Sequence, residues 1–344
     1  GGAINVNDYE TTSKVNVISG LEGNRSVVSA GGDVNTLAKT MNTVEGNAAG
    51  GAVGGFALAL TVNVNQMNAT TVVNVADGQS ISSDGILTLQ AQDINSMTSL
   101  SGAVGGGAIG VGASVDYNRF GGATQVLIGN DVTLSGLTAV VLDATSQRTI
   151  NSTVVVGQAA GTAAVSVAVS VVEMGAIADR SEARSAIDDT DDELKNNDQN
   201  TDDGSGDRGS VEGLTAFTGA DGTRDRVIAA RQAVSVKAER IDDVGVRIGD
   251  RTSVASDTSV ALSSDVLVDV DQFGGALAAG GLAGIASGTT VSNIGVASQI
   301  IVGRDVQIEA DDLVSVRATT TAGTGGTVNA EAATIALSAG ISAG

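Results

Sequence analysis

The residues with the clearest chemical potential lie in an acidic stretch, DDTDDELKNNDQNTDDGSGD, which runs from Asp188 to Asp207. Carboxylate and amide oxygens recur there at alternate positions, as in the first half of a calcium loop. The glycine comes one place late, and Gly209 stands where an EF-hand loop has glutamate. The pattern predicts a looser calcium site with the candidate ligands Asp198, Asn200, Asp202 and Asp203. The alternative, which the composition favours, is a solvated acidic insertion.

The chain offers few residue types for catalysis, because it contains no Cys, His, Trp or Pro. These absences exclude Cys/His zinc sites, thiol nucleophiles and the Ser-His-Asp triad. Acidic doublets at Asp242–Asp243 and Asp311–Asp312 are candidates for a carboxylate pair. Adjacent residues of a strand point to opposite faces, however, so a doublet forms no site and is better interpreted as charge at corners and on the surface. We predict a protein that is not an enzyme and requires no cofactor, with calcium as its one candidate ion.

The charge balance restricts the partners. The chain has 344 residues, 39 of them acidic and 18 basic, and a net charge of −21. Such a chain is repelled by nucleic acid and by anionic lipid, so we expect no nucleic-acid partner. The apolar run over 154–172 has a period of two, which argues against membrane insertion by a helix. An acidic chain poor in lysine suits an extracellular location.

Internal repeats dominate the sequence. A Gly-rich block that begins at Gly50 recurs near Gly102, Gly157 and Gly274. Each block precedes a segment made of a short strand, a turn and a second strand, as in 80–91, 133–144 and 306–318. Each unit is too short to bury its own apolar face, so neighbouring units must stack.

Alternating residues inside the blocks predict strands with one buried face. We expect the larger apolar residues to be buried in parallel strands: Phe56, Leu58, Leu60, Val62, Ile109, Val111, Leu142, Val165, Val167, Val169, Val314 and Val316. Their small neighbours are expected to point outward: Gly110, Gly112, Ser114, Ala164, Ser166, Ala168 and Ser170. Because uncharged flat strands aggregate when open, we expect this second face to be covered by the same chain or by another subunit.

These patterns predict an all-β fold, a parallel β-helix (β-solenoid) of degenerate repeats of about 50 residues with one acidic insertion. Its coils would occupy 1–179 and 228–344, in one continuous rod, with the insertion at 180–227. An all-β sandwich is the alternative fold, but it normally has prolines in its loops and a buried Trp or Tyr. Gly and Asn are expected at the tight corners.

The alternation of these blocks and segments resembles the repeat regions of large bacterial surface adhesins, of the filamentous-haemagglutinin-like and autotransporter types. The likeness is carried by AAVSVAVSVV from Ala163 and VTLSGLTAVVLDA from Val132, and it covers most of 18–180 and 230–344. It implies a right-handed parallel β-helix, secretion and a surface or filament role. It carries over no functional residue.

The expected function is therefore structural. We expect the chain to be part of an extracellular filament, an adhesin stalk or a cell-surface sheath of a bacterium. The expected partners are the protein itself, as a homopolymer or a longer chain of the same repeats, and a cell-surface or matrix polysaccharide. Self-association is expected through strand stacking and through Gly/Ala-rich faces. A β-helix enzyme acting on polysaccharide, either a lyase or a glycosidase, is the alternative.

Overall fold

A computed structural model describes residues 1–17, 26–175, 243–322, 328–338 and 341–343. Over these residues the chain is all-β, as predicted, and no helix is present. The strands are β1 Gly2–Val17, β2 Val27–Ala30, β3 Val34–Val75, β4 Ser80–Ser83, β5 Ile86–Ile128, β6 Thr133–Gly136, β7 Ala139–Gly175, β8 Asp243–Ile248, β9 Ser253–Ser256, β10 Ser259–Gly280, β11 Ala283–Gly295, β12 Ala297–Val302, β13 Gln307–Ala310, β14 Leu313–Ala322, β15 Asn329–Ser338 and β16 Ile341–Ala343.

The strands pair in parallel throughout the described residues. The long strands form one sheet in the order β1-β3-β5-β7-β10-β14, and the short strands form another in the order β13-β9-β6-β4-β2. Val34 of β3 lies beside Leu87 of β5, and Leu87 lies beside Val140 of β7, each step being 53 residues. The structure pairs Gly51 with Val104 rather than with Gly102, so aligning the Gly-rich blocks by eye misplaces the register.

The strands β3, β5 and β7 also turn back on themselves. In β5 the hydroxyls of Ser101 and Ser114 are 2.6 Å apart, although the residues belong to the same strand. We call residues before the reversal the outbound limb (86–107 in β5) and those after it the return limb (109–128). The reversal falls in the Gly-rich block, where a Cβ on Gly107 would collide with the carbonyl oxygen of Gly54. Glycine is needed there because two backbones meet.

The corners before β4, β6, β9 and β13 each have a left-handed residue. The positions are Gly78, Asp131, Arg251 and Asp305, with φ of 69°, 55°, 54° and 55°. Gly or Asn was expected at these positions, but only the first of the four corners has one of them, Gly78. Aspartate adopts this conformation more readily than most residues.

Side chains link successive corners. Asp77 Oδ1 accepts a hydrogen bond from the Asn130 backbone N–H at 2.7 Å, and Asn130 Oδ1 accepts one from the Asp250 N–H at 2.8 Å. Asp250 Oδ1 accepts in turn from the Arg304 N–H at 2.8 Å. Short acceptor side chains therefore satisfy the backbone donors that the turns leave unpaired.

The core has two inner parts. Large aliphatic residues, among them Leu89, Leu134 and Leu142, fill the end near the short strands. Towards the reversals the inner space holds mostly alanine, including Ala103 and Ala164. The limbs lie close together there because their facing side chains are small.

The burial predictions succeed in the middle of the stack and fail at its margins. Leu60, Val62, Val111, Leu142, Val165, Val167 and Val169 are buried as expected. Leu58 and Ile109 are only partly buried. Phe56 is 44% exposed because it lies at a reversal, and Val314 and Val316 are 44% and 56% exposed. These two valines belong to β14, which pairs with β10 on one side and with no described strand on the other.

The prediction of a single buried face is wrong for the return limb of β7. Ser166 is buried, and its hydroxyl donates to the carbonyl oxygen of Leu277, whereas Val167 on the opposite face is also buried. Ala164 and Ala168 pack in the inner alanine cluster, so the small residues point inward rather than outward. The expectation that the small face is covered is confirmed, and the opposite limb of the same chain covers it. The alternation in the sequence separates the two faces of a strand. It cannot show which face points inward when both are buried.

The corner geometry gives a first prediction. A Cβ at Gly129 would collide with Asp77 Oδ1 and lie 2.7 Å from the Asp77 backbone nitrogen. Gly129→Ala should therefore lower the free energy of unfolding by about 1–3 kcal/mol, the usual range for overpacking. Gly295→Ala, where nothing lies within 4 Å of the new atom, should change it by less than about 0.5 kcal/mol. Urea denaturation followed by circular dichroism measures both, and equal midpoints for the two variants would contradict the proposed contact.

Candidate functional site

The most distinctive polar groups lie inside the fold, on the inner face of the return limbs. Asn63 of β3, Asp116 of β5 and Ser170 of β7 occupy one column across the sheet. All three are fully buried. They point inward because the residues that alternate with them, such as Val62 and Val64, occupy the other face. Polar residues thus take the same inward position in successive strands.

Asparagine side chains form ladders along these columns. Asn7 Nδ2 donates to Asn65 Oδ1 at 2.8 Å, and Asn65 Nδ2 donates to Asn118 Oδ1 at 2.9 Å. In the adjacent column Asn5 Nδ2 donates to Asn63 Oδ1 at 2.9 Å. Such ladders are typical of parallel strands stacked in register. A slip of one residue would place valine in the ladder, so the amides help to fix the register.

Asp116 is the centre of the largest buried polar cluster, in which three side chains donate to one carboxylate oxygen. Its Oδ2 accepts hydrogen bonds from the Ser152 hydroxyl at 2.5 Å, from Asn118 Nδ2 at 2.7 Å and from the Ser99 hydroxyl. Ser152 also contacts the hydroxyl of Ser170 at 2.6 Å. Oδ1 of Asp116 has no hydrogen-bond partner in the part of the chain that the structure describes.

Burial raises the pKa of the Asp116 carboxyl, because removal from water penalises its charged form. The hydrogen bonds from Ser152, Ser99 and Asn118, together with the nearby amide of Asn63, act in the opposite direction. The group is 0% exposed, so it cannot touch a substrate from solution without local opening. Its arrangement suits a structural role, in which the carboxyl ties the two limbs together through Ser99 and Ser152.

A second polar cluster joins two outbound limbs. Asp93 Oδ1 accepts from Asn95 Nδ2 at 2.6 Å, and its Oδ2 accepts from the Ser146 hydroxyl at 3.3 Å. Arg148 Nε donates to the Ser146 hydroxyl at 3.1 Å. Asp93 and Arg148 are both buried, which brings opposite charges into one dry region. A buried carboxylate and guanidinium are tolerated only when they are close and hydrogen-bonded.

A third buried acid lies on the outer face of the return limbs. Glu173 of β7 accepts a hydrogen bond through Oε2 from the hydroxyl of Tyr117 of β5. Arg119, which is also buried, lies beside Glu173 in the strand register. The flanking residues Val169 and Val171 belong to the apolar cluster of that face.

Sequence reasoning missed these clusters, although a signal for them was present. Asn65 and Asn118 are separated by 53 residues, which is the offset of the strand pairing, and the same separation holds for Asn63 and Asp116. Polar residues that recur at the repeat offset inside an apolar alternation indicate an inward ladder.

The predicted calcium ligands Asp198, Asn200, Asp202 and Asp203 lie outside the described residues, as does the whole of 180–227. Asp311 and Asp312 lie in the bend between β13 and β14, and both are exposed, as expected for corner charge. The side chain of Asp243 and the whole of Asp242 are not described. Within the described ranges, no group of three or more acidic side chains is placed to hold a metal ion.

A shallow depression of about 730 Å³ lies beside the reversals. Its lining contains no charged residue: Ala159, Ala160, Ala279, Gly280, Gly281, Leu337 and Ser338. A surface with one hydroxyl and otherwise small apolar groups offers no acid, base or nucleophile pair for catalysis.

Comparisons with known proteins give no relative on which to base a function: no family model, curated protein or solved structure matches the chain. No helix long and apolar enough to cross a membrane occurs in the described residues. The function must therefore be inferred from the geometry.

The asparagine ladder gives the second prediction. Asn65→Ala removes the acceptor of Asn7 and the donor to Asn118, so it should lower the free energy of unfolding by about 1–3 kcal/mol. Asn74→Ala is the matched control, because Asn74 donates to Asn16 at 3.3 Å on the surface. We expect the control to change stability by about 0.5 kcal/mol or less. Urea denaturation of both variants is the measurement. An equal loss of unfolding free energy in the two variants would contradict a stabilising role of the buried ladder.

The third prediction concerns pH. The raised pKa of Asp116 means that the native state binds this proton more tightly than the unfolded chain, where the ordinary value is 3.8. Its contribution to stability is therefore greatest below pH 3.8 and declines as the pH rises towards the folded-state pKa. Asp116→Asn removes this decline, so the variant should gain stability relative to the native protein between pH 4 and pH 7.

Urea denaturation at several pH values measures this difference, with Asp312→Asn as the exposed control. A difference between Asp116→Asn and the native protein that stays constant over this range would contradict the raised pKa.

Proposed function

We propose that the chain is a parallel β-solenoid that serves as a structural unit of an extracellular filament, an adhesin stalk or a cell-surface sheath. The observation that carries this proposal is an offset of 53 residues between β3 and β5 that holds on the outbound limb, on the return limb and in the short strands β2, β4 and β6. The outbound limbs of β5 and β7 keep the offset of 53, their return limbs pair at one residue more after a register shift between Gly107 and Ile109, and β1 pairs with β3 at 58. The pairs that show the offset of 53 are Leu87 with Val140, Val75 with Ile128, and Ile81 with Leu134. A chain that advances by the same offset on every side winds as a solenoid.

The later registers fit the same winding. Val140 pairs with Val260 at an offset of 120 residues, and Val260 pairs with Val314 at an offset of 54. The residues between Val140 and Val260 include the acidic stretch. The larger offset there fits an insertion of this segment into one coil of the repeat. Parallel pairing also differs from the antiparallel pairing of an immunoglobulin-type sandwich.

The inner groups support a mechanical role over a catalytic one. The buried carboxyls of Asp93 and Asp116 contact serines of neighbouring limbs and an asparagine of their own limb. A glycosidase needs two carboxyl groups facing a sugar across a cleft. Backbone ladders, corner bonds and amide ladders all run along the stacking direction, so a pull along that axis is shared by many bonds.

The acidic balance and the resemblance to adhesin repeats support the extracellular location and bacterial origin. The proposed partners are other copies of the chain or further repeats, and surface polysaccharide. The calcium site at Asp198, Asn200, Asp202 and Asp203 is retained as part of this proposal, on the sequence pattern alone.

The fourth prediction tests the solenoid and its role. Residues 86–107 at about 3.3 Å each span roughly 70 Å, and neighbouring strands stack about 4.8 Å apart. Assembled protein should therefore appear in negative stain as ribbons whose constant width matches this span. Oriented fibres should diffract at about 4.8 Å along the fibre axis. Compact particles that release sugars from a panel of acidic and neutral polysaccharides would instead establish the enzyme alternative.

A further inference from the structure

The outer face of the return limbs is apolar and buried. It consists of the residues that alternate with the inward-pointing Asn63, Asp116 and Ser170. None of its buried hydrophobic residues is more than 8% exposed: Val62, Val64, Val111, Tyr117, Val165, Val167, Val169 and Val171. Arg119 and Glu173 of the same face are 8% and 3% exposed. Charged side chains of an open sheet face extend into water, so these values require a cover.

The outer face of the outbound limbs shows how exposed an uncovered face is in the same stack. Val155 of β7 and Leu277 of β10 each have a paired strand on both sides, yet they are 45% and 43% exposed. Val167 belongs to β7 as well and also has a strand on both sides, but it is only 5% exposed. Neighbouring strands alone therefore do not bury an outward valine, and another part of the chain lies over Val167.

No described strand supplies this cover. Within the described ranges, the return limbs contact the adjacent strands of the stack and the outbound limbs. The outbound limbs lie on the inner side, because Asn63 donates to the carbonyl oxygen of Gly46 and Asp116 accepts from Ser99. The cover therefore comes from residues outside the described ranges.

Length and position select one segment among these residues. Segment 18–25 joins Val17 to Ser26 at the corners, and eight residues that must return reach about 14 Å at most. Val64 lies about 36 Å along β3 from Val75, the partner of Val17, and is out of this reach. Segments 323–327 and 339–340 have five and two residues, and both belong to the last coil. Segment 176–242, with 67 residues, is long enough.

This segment also begins and ends beside the buried face. Strand β7 ends at Gly175, two residues after Glu173, and β8 resumes at Asp243 in the same return limb. Strand β5 crosses the corresponding gap with residues 121–122 alone, so the coil is complete without the segment. The segment is therefore free to lie on the outside of the coil that it interrupts.

Burial of the outer face changes at this exit point. On the side towards the reversals, Tyr117 and Val171 are 8% and 0% exposed. On the side towards the corners, the outward residues Ala123, Gln125 and Leu127 of β5 are only partly buried. The cover thus starts where the segment leaves the strand and extends towards the reversals.

We propose that the outer face of the return limbs is the docking surface of segment 176–242, and that residues 227–241 supply the apolar side chains that cover it. The occupant is a part of the same chain rather than a second copy, because the face is buried within a single chain. This inference goes beyond the proposed function, since it holds whether or not the solenoid serves in a filament.

Composition and charge distinguish residues 227–241 from the rest of the segment. Their sequence, VIAARQAVSVKAERI, is mostly apolar and contains three basic residues and one acidic residue. In the acidic stretch 188–207, Leu194 is the one apolar residue. The whole chain carries a net charge of −21, so a weakly basic apolar stretch docks on it more favourably than an acidic one.

The fifth prediction uses the absence of native cysteine. In the full chain, the thiol of Val167→Cys should react with a soluble thiol reagent at least tenfold more slowly than that of Val155→Cys, the exposed control in the same strand. Val64→Cys of β3 is a second, independent reporter and should be shielded to the same extent. The shielding should be independent of protein concentration. Rates equal to the control, or shielding that is lost on dilution, would overturn the proposal, and loss on dilution would assign the face to another copy.

Disulfide trapping then identifies the covering residues. Val64→Cys or Val167→Cys is combined in the full chain with one substitution in 227–241: Val227→Cys, Ile228→Cys, Val234→Cys, Val236→Cys or Ile241→Cys. The matched controls carry Asn196→Cys or Asn200→Cys of the acidic stretch instead. After mild oxidation, we expect at least one pair with 227–241 to give tenfold more intramolecular disulfide than any control, detected as joined peptides in a non-reducing tryptic digest.

The remaining outcomes separate this proposal from the proposed function. A shielded face with no link from 227–241 above the controls would overturn the docking of these residues. Ribbons that diffract at about 4.8 Å while position 167 reacts freely would leave the solenoid standing and make the docking wrong. Compact particles that cleave polysaccharide but link 167 to 227–241 would do the reverse.

Discussion

The structure depends on one constraint: each residue of a long strand lies beside its counterpart in the next strand, in parallel and in register. Backbone hydrogen bonds require this along Val34–Val75 and Ile86–Ile128, where the offset stays at 53 residues from end to end. The other features follow, because strands about 4.8 Å apart leave no room for a side chain between successive corners. Gly129 and Gly303, whose added Cβ atoms would collide with Asp77 and Asp250, are a direct consequence.

The buried polar groups have a cost, and the register explains why the fold tolerates it. An apolar interior alone would accept a shifted pairing, since valine and alanine fit many neighbours. Asn65 bridges Asn7 and Asn118, and Asp116 joins Ser99 on one limb to Ser152 of the next strand. Any shift would leave these groups buried without partners, at a cost of about 1–3 kcal/mol each. The polar column therefore selects one alignment from many that are nearly equal in hydrophobic burial.

Sequence reasoning predicted the all-β class and the repetition because alternation and Gly-rich blocks are local signals. It could not decide the inward face of Ala163–Gly175, since Ser166 and Val167 are both buried and only the position of the opposite limb distinguishes them. Phe56 was misplaced because a reversal inside a continuous strand leaves no break in the alternation. Asp116 was missed because its partners Ser99 and Ser152 are distant in sequence and adjacent only after the chain has turned back.

The proportions of the chain bear on how such a protein would be stabilised. Its limbs extend roughly 70 Å, whereas six stacked strands rise only about 24 Å from first to last. Val314 and Val316 of β14, which has one described neighbour, are exposed, although the equivalent Val260 and Leu262 between two neighbours are buried. In a quasi-one-dimensional stack, each added neighbour contributes an interface while the number of ends stays at two. A neighbour on each side is therefore what buries the valines of a strand, and the same parallel register that aligns the backbone hydrogen bonds aligns these apolar columns.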